Sequence, residues 1–278
     1  MRREVLGELT LRLTICHLYP LAMSIYGDRG NVIALTQRAG WRGAEVTVQP
    51  HNLGDSPDFG DVDIFFFGGG QDKEQAAVSR DLRGDAGKAL LGAVEAGSAL
   101  LAICGGYQLL GHSFRTGSGD LLPGIGLFDA HTEAGARRFI GDAVVECDFA
   151  DPASDASGPG TGVASARMLV GFENHSGRTT LGAGCRPMGR VIVGYGNDGS
   201  GRYEGAIYRS AFGCYLHGSL LPKNAWFTDV LLRAGLRRRY RGDVQLVPLD
   251  DALEDQAQRA VIERVRRRGQ VQSAIRSR

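Results

Sequence analysis

The sequence predicts an α/β fold, a doubly wound and mainly parallel sheet flanked by helices. Three observations predict it. Short apolar or β-branched runs at 9–16, 45–48, 62–67 and 99–103 alternate with segments of helical spacing. Two of these runs pass into glycine-rich turns, Gly68-Gly69-Gly70 and Gly105-Gly106, and the ends of strands are where open sheets of this kind bind ligands. The composition is that of a globular chain: 43% hydrophobic and 23% charged over 278 residues, enough to bury a core of normal size.

Taken in order, residues 9–16 read as a strand rich in Leu, Thr and Ile. The polar loop Tyr26-Gly27-Asp28-Arg29-Gly30-Asn31 then opens a helix at 32–39. Residues 45–48 form a second short strand, and 62–67 form a buried one that runs directly into the three glycines. The spacing at 88–96 is that of an amphipathic helix, with Gly97 as a natural C-cap. The apolar strand 99–103 ends at Cys104, and Gly105 opens another helix. The second half differs. Short β-like runs at 143–147, 168–172, 191–193, 205–208 and 212–216 lie between Gly-rich turns, which predicts strands that extend the sheet or form an antiparallel patch. Residues 151–162 read as a surface loop and 224–234 as a helix. Residues 250–268 read as a charged helix with a stripe at Leu253, Ala257, Val261 and Val265, which would dock on this domain or on a partner.

The bulk numbers exclude several classes. A net charge of +1 gives no sign of nucleic-acid binding. The charge is uneven: 237–278 holds eleven Arg against six acidic residues, a net of +5, which leaves −4 for the remainder. A basic stretch of this kind reads as a solvated helical extension or as a holder of a partner or anionic surface. The expected division is therefore 1–236 as the main domain and 237–278 as a basic, helical C-terminal extension. Five cysteines with no Cys-x-x-Cys pair argue against a disulfide framework and a zinc site, so no metal is expected. No signal peptide and no run of about 18 apolar residues is found, and a reducing cytoplasm is the expected location.

The sharpest feature is the strand–Cys104–Gly105-Gly106–helix junction, a nucleophile elbow. The turn holds the thiol at the carboxyl end of the sheet, over a helix N-terminus whose partial positive charge and free N–H groups favour a thiolate. Such a cysteine needs a base. His217, which follows the apolar run 212–216, is the first candidate, with His175 second and His17 a further strand-end histidine. The oxyanion donors expected for thioester chemistry are the N–H of Gly105 and one from the glycine loop at 69–70. No Gly-Lys-Ser/Thr follows that loop, so it is not a phosphate loop of the Walker type. Cys16, Cys147, Cys185 and Cys214 read as structural.

Four segments in order, Phe65-Phe66-Phe67-Gly68-Gly69-Gly70-Gln71-Asp72, Ile103-Cys104-Gly105-Gly106-Tyr107-Gln108, Gly171-Phe172-Glu173-Asn174-His175 and Tyr215-Leu216-His217-Gly218-Ser219, resemble the cobyric acid synthase-like branch of the class I glutamine amidotransferases. Tyr26 to Asn31 and Leu220-Leu221-Pro222-Lys223-Asn224 strengthen the likeness, which covers roughly residues 10 to 235. The resemblance implies a flavodoxin-like fold of the class I amidotransferase type. It implies a glutaminase that hydrolyses L-glutamine to glutamate and ammonia through a Cys104 thioester, with His217 as base. Gly70 and Gly105 match the oxyanion positions, Arg138 matches an arginine that holds the glutamine carboxylate, and Gln108 is expected to line the pocket. An Arg fork suits a carboxylate. The branch implies no cofactor in this chain. ATP and Mg are expected in a Mur-ligase-like partner that amidates a lipid-linked peptidoglycan precursor, the two chains forming a heterodimer. The alternatives are a cobyric or cobyrinic acid-type amidotransferase, whose own ATP-binding domain is not found here, a non-catalytic scaffold subunit, and a cysteine peptidase-like hydrolase.

Two departures from the common pattern stand out. Ala102 replaces the first Gly of Gly-x-Cys-x-Gly, and Ser219 stands where many members place Glu two residues after the His. The site is then a Cys–His dyad, or its carboxylate comes from elsewhere, with the partner subunit as the expected source.

Overall fold

A computed structural model describes residues 10–25, 27–147, 149 and 167–276. The expected loop at 151–162 lies outside them. The first sheet has six strands, in the order β11-β12-β4-β3-β1-β2. They are β1 (Arg12–Leu18), β2 (Glu45–His51), β3 (Ile64–Phe67), β4 (Ala99–Ile103), β11 (Ala206–Tyr208) and β12 (Ala211–Cys214). All neighbours run parallel except β11, which pairs antiparallel with β12. β3 and β4 are buried at every position, as strands covered on both faces must be. Helices α1 (Arg29–Gly40), α2 (Asp72–Leu82), α3 (Asp85–Glu95) and α5 (Ala225–Tyr240) pack against this sheet or one another, and α4 (Gly105–Leu110) follows Cys104.

The register fixes where the chemistry falls. β4 lies between β3 and β12, with Phe67 beside Ala102 and Ile103 beside Cys214. Because these strands are parallel, the segments that follow them emerge side by side: Gly68-Gly69-Gly70 after β3, Cys104 after β4 and His217 after β12.

A second sheet is built from β5 (Ser113–Arg115), β6 (Leu121–Pro123), β7 (Ala130–Cys147), β8 (Arg167–Leu181), β9 (Gly189–Val193) and β10 (Tyr203–Glu204). The late strands therefore do both things the sequence allows: β11 and β12 extend the first sheet, while the others form a separate, largely antiparallel one. β7 and β8 are much longer than the runs at 143–147 and 168–172 suggest. They form a ribbon with a register break between Ala134 and Phe139, and its polar stretch Glu133–Arg138 carries little apolar alternation. Helix α2 has no counterpart in the sequence reading. Its buried face presents Gln75 and Ser79 as well as Val78 and Leu82, so apolar spacing alone does not reveal it.

α5 runs on to Tyr240, across position 236, because its last turn is pinned. The buried Asp63 carboxylate accepts from Arg238 (3.1 Å) and Arg239 (2.7 Å). α6 (Ala252–Arg276) lies against the second sheet. Its Val261 and Val265 bury against Val144 and Val170, and Arg264 pairs with Asp142 at 2.7 Å. Leu253 is 78% exposed, so the stripe docks on this domain through its C-terminal half.

Candidate active site

Cys104 occupies the turn between β4 and α4 with φ +50° and ψ −104°. A side chain rarely adopts such a backbone, and it persists only where the surroundings impose it. Here the Cys104 N–H donates to Cys214 O at 2.8 Å and the Gly106 N–H to Gly68 O at 3.1 Å, tying the elbow to the strands on either side. Cys104 is 8% exposed, at the foot of a cleft of about 670 Å³.

Gly70 and Gly105 meet across the cleft floor. A methyl group on Gly105 would lie 2.9 Å from the Gly70 nitrogen, so only glycine lets the two backbones come this close. Gly105 is the first residue of α4, where an N–H has no acceptor within the helix. The Gly70 nitrogen and the first residue of α4 thus lie close together beside the elbow.

His217 is fully buried. Its backbone exchanges hydrogen bonds with Phe172 of β8 (2.8 and 3.2 Å), so the second sheet clamps the histidine that follows the first. Its Nδ1 stands 3.5 Å from Asp28 Oδ1, long for a neutral hydrogen bond but within ion-pair range. The other oxygen of Asp28 accepts the Gly69 N–H at 2.6 Å. One buried carboxylate thus holds both the glycine loop and the imidazole. Gly69 is the close neighbour, since a methyl group there would sit 3.0 Å from the imidazole Cε1.

The electrostatics follow. Burial alone would lower the pKa of His217, but the Cys104 charge, hydrogen bonds to Asp28 and Cys104 and the Asp28 charge together raise it to about 10. The imidazolium form is therefore favoured at neutral pH. His175 behaves oppositely. Burial, with opposing help from the Gly177 carbonyl, leaves its pKa at about 4, and its ring stacks on Tyr215 at 3.7 Å. It is a neutral wall of the cleft rather than the partner of a carboxylate. His17 is likewise pushed down to about 4 by burial and stands edge-on to Phe66. Behind His217, Glu204 accepts the Tyr215 N–H at 2.6 Å and is pushed up to about 8 by burial and by Glu173.

The cleft wall comes from the second sheet and α2. Arg138, on β7, lines it, with its Nε donating to Asn174 Oδ1 at 2.6 Å, so the guanidinium is held in place. Gln108 also lines it. Its Oε1 accepts from Gln75 Nε2 (2.9 Å) and its Nε2 donates to the Tyr215 hydroxyl (3.2 Å). Asp72 and Lys73 of the first turn of α2 complete the charged lining. The cleft thus offers a cation for a carboxylate and a carboxylate for an ammonium, both of which a free amino acid carries.

All six residues expected from the sequence, Cys104, His217, Gly70, Gly105, Arg138 and Gln108, converge here. A carboxylate of this same chain, Asp28, stands 3.5 Å from the Nδ1 of the histidine. The residues around the histidine do not reveal it, because Asp28 reaches the imidazole from the loop after β1. Its signal was an acidic residue in a loop after a strand, inside a segment already singled out. Gln75 and Asp72 were missed together with α2. No cluster of metal-binding side chains occurs among the described residues. The other four cysteines are free thiols, and burial pushes Cys16 up to about 12.

An elbow cysteine with a buried histidine after the neighbouring strand, on a parallel sheet, fits a glutamine amidotransferase. Residues 14–225 match the CobB/CobQ-like glutamine amidotransferase domain, and the chain belongs to that family of glutamine-hydrolysing enzymes. It is similar to the lipid II isoglutaminyl synthase (glutamine-hydrolyzing) subunit GatD of Staphylococcus aureus, at 39% identity over 92% of this chain and 97% of that protein. The subunit GatD of Streptococcus pneumoniae is 36% identical over 90% of each chain. The cobyric acid synthase of Pelotomaculum thermopropionicum is 35% identical over 52% of this chain but 27% of its own length. In fold, the chain is similar to PurLQS from Thermotoga maritima, with a TM-score of 0.51 and 15% identity over 84% of this chain and 100% of that one.

Proposed function

We propose that this chain is the glutaminase subunit of a lipid II isoglutaminyl synthase. The observation that supports the chemistry is Cys104 at the elbow, with the backbones of Gly70 and Gly105 in close approach beside it and the buried His217 hydrogen-bonded to it. Arg138 holds the α-carboxylate of L-glutamine, and Gln108 shapes the pocket beside it. Cys104 Sγ attacks the side-chain amide carbon, and the oxyanion is held by Gly70 and Gly105. Protonated His217 gives its proton to the departing nitrogen, which leaves as ammonia. The thioester is then hydrolysed by water that gives a proton to His217 as its hydroxide adds to the carbonyl, and collapse releases glutamate and restores the thiolate–imidazolium pair.

The near full-length likeness to GatD subunits, against a partial likeness to cobyric acid synthase, supports the peptidoglycan acceptor. In this reading a MurT-like Mur-ligase subunit binds ATP and Mg, activates the α-carboxyl of the stem-peptide D-glutamate and receives the ammonia. This chain needs no cofactor of its own. No helix among the described residues is long and apolar enough to cross a membrane, and the cysteines are unpaired. In the same reading the two chains form a cytoplasmic heterodimer in which the partner handles the lipid-linked acceptor.

The test is glutamate release from L-glutamine by wild type and Cys104→Ala, with and without the MurT-like partner. Release that disappears in the variant and rises with the partner is expected. No release by wild type in either condition would favour a non-catalytic scaffold.

A further inference from the structure

None of the site residues comes from the basic stretch at the C-terminus. Residues 256–278 hold seven arginines and one acid, Glu263, a net of +6. The whole chain is +1, so residues 1–255 carry −5. α6 sorts these charges by face. Its apolar side is already committed: Val261 and Val265 bury against Val144 and Val170, and Arg264 pairs with Asp142. Gln258 donates to Met168 O at 3.0 Å, which fixes the rotation of the helix one turn earlier. With about 3.6 residues per turn, Arg259 and Arg266 fall on the side opposite those valines, and both are exposed. Arg267 is exposed as well. Its pair with Glu263, at 3.7 Å between side chains 81% and 62% exposed, is of the weak kind that solvent screens.

We propose that the outward face of α6 is a docking surface for an anionic lipid bilayer. Charge complementarity selects this occupant. A stretch of +6 on a body of −5 turns one end of the molecule toward a negative surface and keeps the rest away from it. A bilayer offers phosphates at every spacing, so arginines on an open helix face engage it without a shaped pocket. Basic clusters of this size on a helix bind anionic lipid, each arginine contributing roughly a fivefold gain in partition. The contact is electrostatic and not inserted, because the valines that would enter a bilayer are packed on the second sheet. The inference rests on the isoglutaminyl synthase reading for its purpose only: a lipid-linked acceptor is met at such a surface.

The experiment is co-sedimentation of the full chain with vesicles of phosphatidylcholine alone or mixed with phosphatidylglycerol, at low and high salt. Two variants are compared with wild type. One is Arg259→Gln/Arg266→Gln/Arg267→Gln; the other is a chain ending at residue 267, which keeps Val261, Arg264 and Val265. Wild type is expected to bind the anionic vesicles at low salt, to be released at high salt and to ignore the neutral ones. The triple variant should bind roughly a hundredfold more weakly, and the shortened chain should weaken in the same direction. Both should keep the Tm and the glutamate release of wild type. No binding to anionic vesicles, equal binding to neutral ones, or unchanged binding by the triple variant would overturn the proposal. Loss of the partner chain by the triple variant, with no vesicle binding by wild type, would assign the arginines to a protein interface instead. Should the complex fail to amidate a lipid II acceptor, the isoglutaminyl synthase reading fails while vesicle binding still decides this one.

Discussion

At the scale of residues, the site shows how environment sets charge. His217 and His175 are both buried in or beside one cleft, yet one is raised to about 10 and the other lowered to about 4. The difference is the partner: Asp28 and Cys104 for one, a carbonyl and an aromatic face for the other. Glu204 makes a further case. Burial and the nearby Glu173 raise it to about 8, so the folded chain keeps a proton that the unfolded chain, with an ordinary carboxylate, has lost. Between about pH 4.5 and 8 the native state therefore binds more protons than the unfolded one, and this group's contribution to stability falls as pH rises. Glu204→Gln keeps an acceptor for the Tyr215 N–H and cannot ionise. Denaturant unfolding at pH 5, 6, 7 and 8 should show the variant gaining on wild type as pH rises. A constant difference across the series would mean that Glu204 is not the titrating group.

At the scale of elements, what the sequence made legible was whatever one strand and its following turn encode locally. The runs at 62–67 and 99–103 were readable because buried parallel strands are continuously apolar, and the glycines after them marked the backbone approaches of Gly70 and Gly105. Cys104 and His217 were readable for the same reason, each being the polar residue at the end of such a run. Asp28 was not, because its role depends on which loops meet, and sequence spacing does not encode that. Helix α2 was hidden by the polar residues Gln75 and Ser79 on its buried face, which serve the site and the neighbouring strand rather than an apolar core. The basic extension illustrates the same limit. Its stripe of Val261 and Val265 was visible, but its acceptor, Val144 and Val170, lies on strands far away in sequence. We propose that 237–278 acts as a strap on the domain of 1–236. A chain ending at residue 256 keeps Asp251 and Glu254 for Arg38 but loses Gln258, Val261, Arg264 and Val265. Exposing these valine contacts should cost roughly 2–4 kcal/mol, or a fall in Tm of roughly 5–15 °C. An unchanged Tm, measured by calorimetry, would leave α6 to a role other than holding the second sheet.

At the scale of the whole molecule, the cleft is where the two sheets are joined across the substrate. Cys104, Gly70 and Gly105 belong to the first sheet and its turns, whereas Arg138 and Asn174 belong to the ribbon β7–β8 of the second. The sheets are tied at the site by the pair of hydrogen bonds between Phe172 and His217 and by Tyr215, whose hydroxyl meets Thr179 at 2.7 Å. A glutamine that places its amide at Cys104 and its carboxylate at Arg138 would add a further tie, so binding should stabilise the fold as a unit. In the proposed mechanism Cys104→Ala would abolish turnover while keeping Arg138 and the glycine backbones, which allows the equilibrium effect to be measured. Glutamine at a hundred times its dissociation constant should stabilise this variant by about 2.7 kcal/mol, and the Tm should rise by roughly 5–10 °C. The same glutamine concentration should leave the Tm of Cys104→Ala/Arg138→Ala almost unmoved, because the ligand then has no cation for its carboxylate and holds only to the first sheet. An equal rise in both variants would mean that Arg138 does not bind the carboxylate, and the cleft would have to take its substrate from the α2 side, through Lys73.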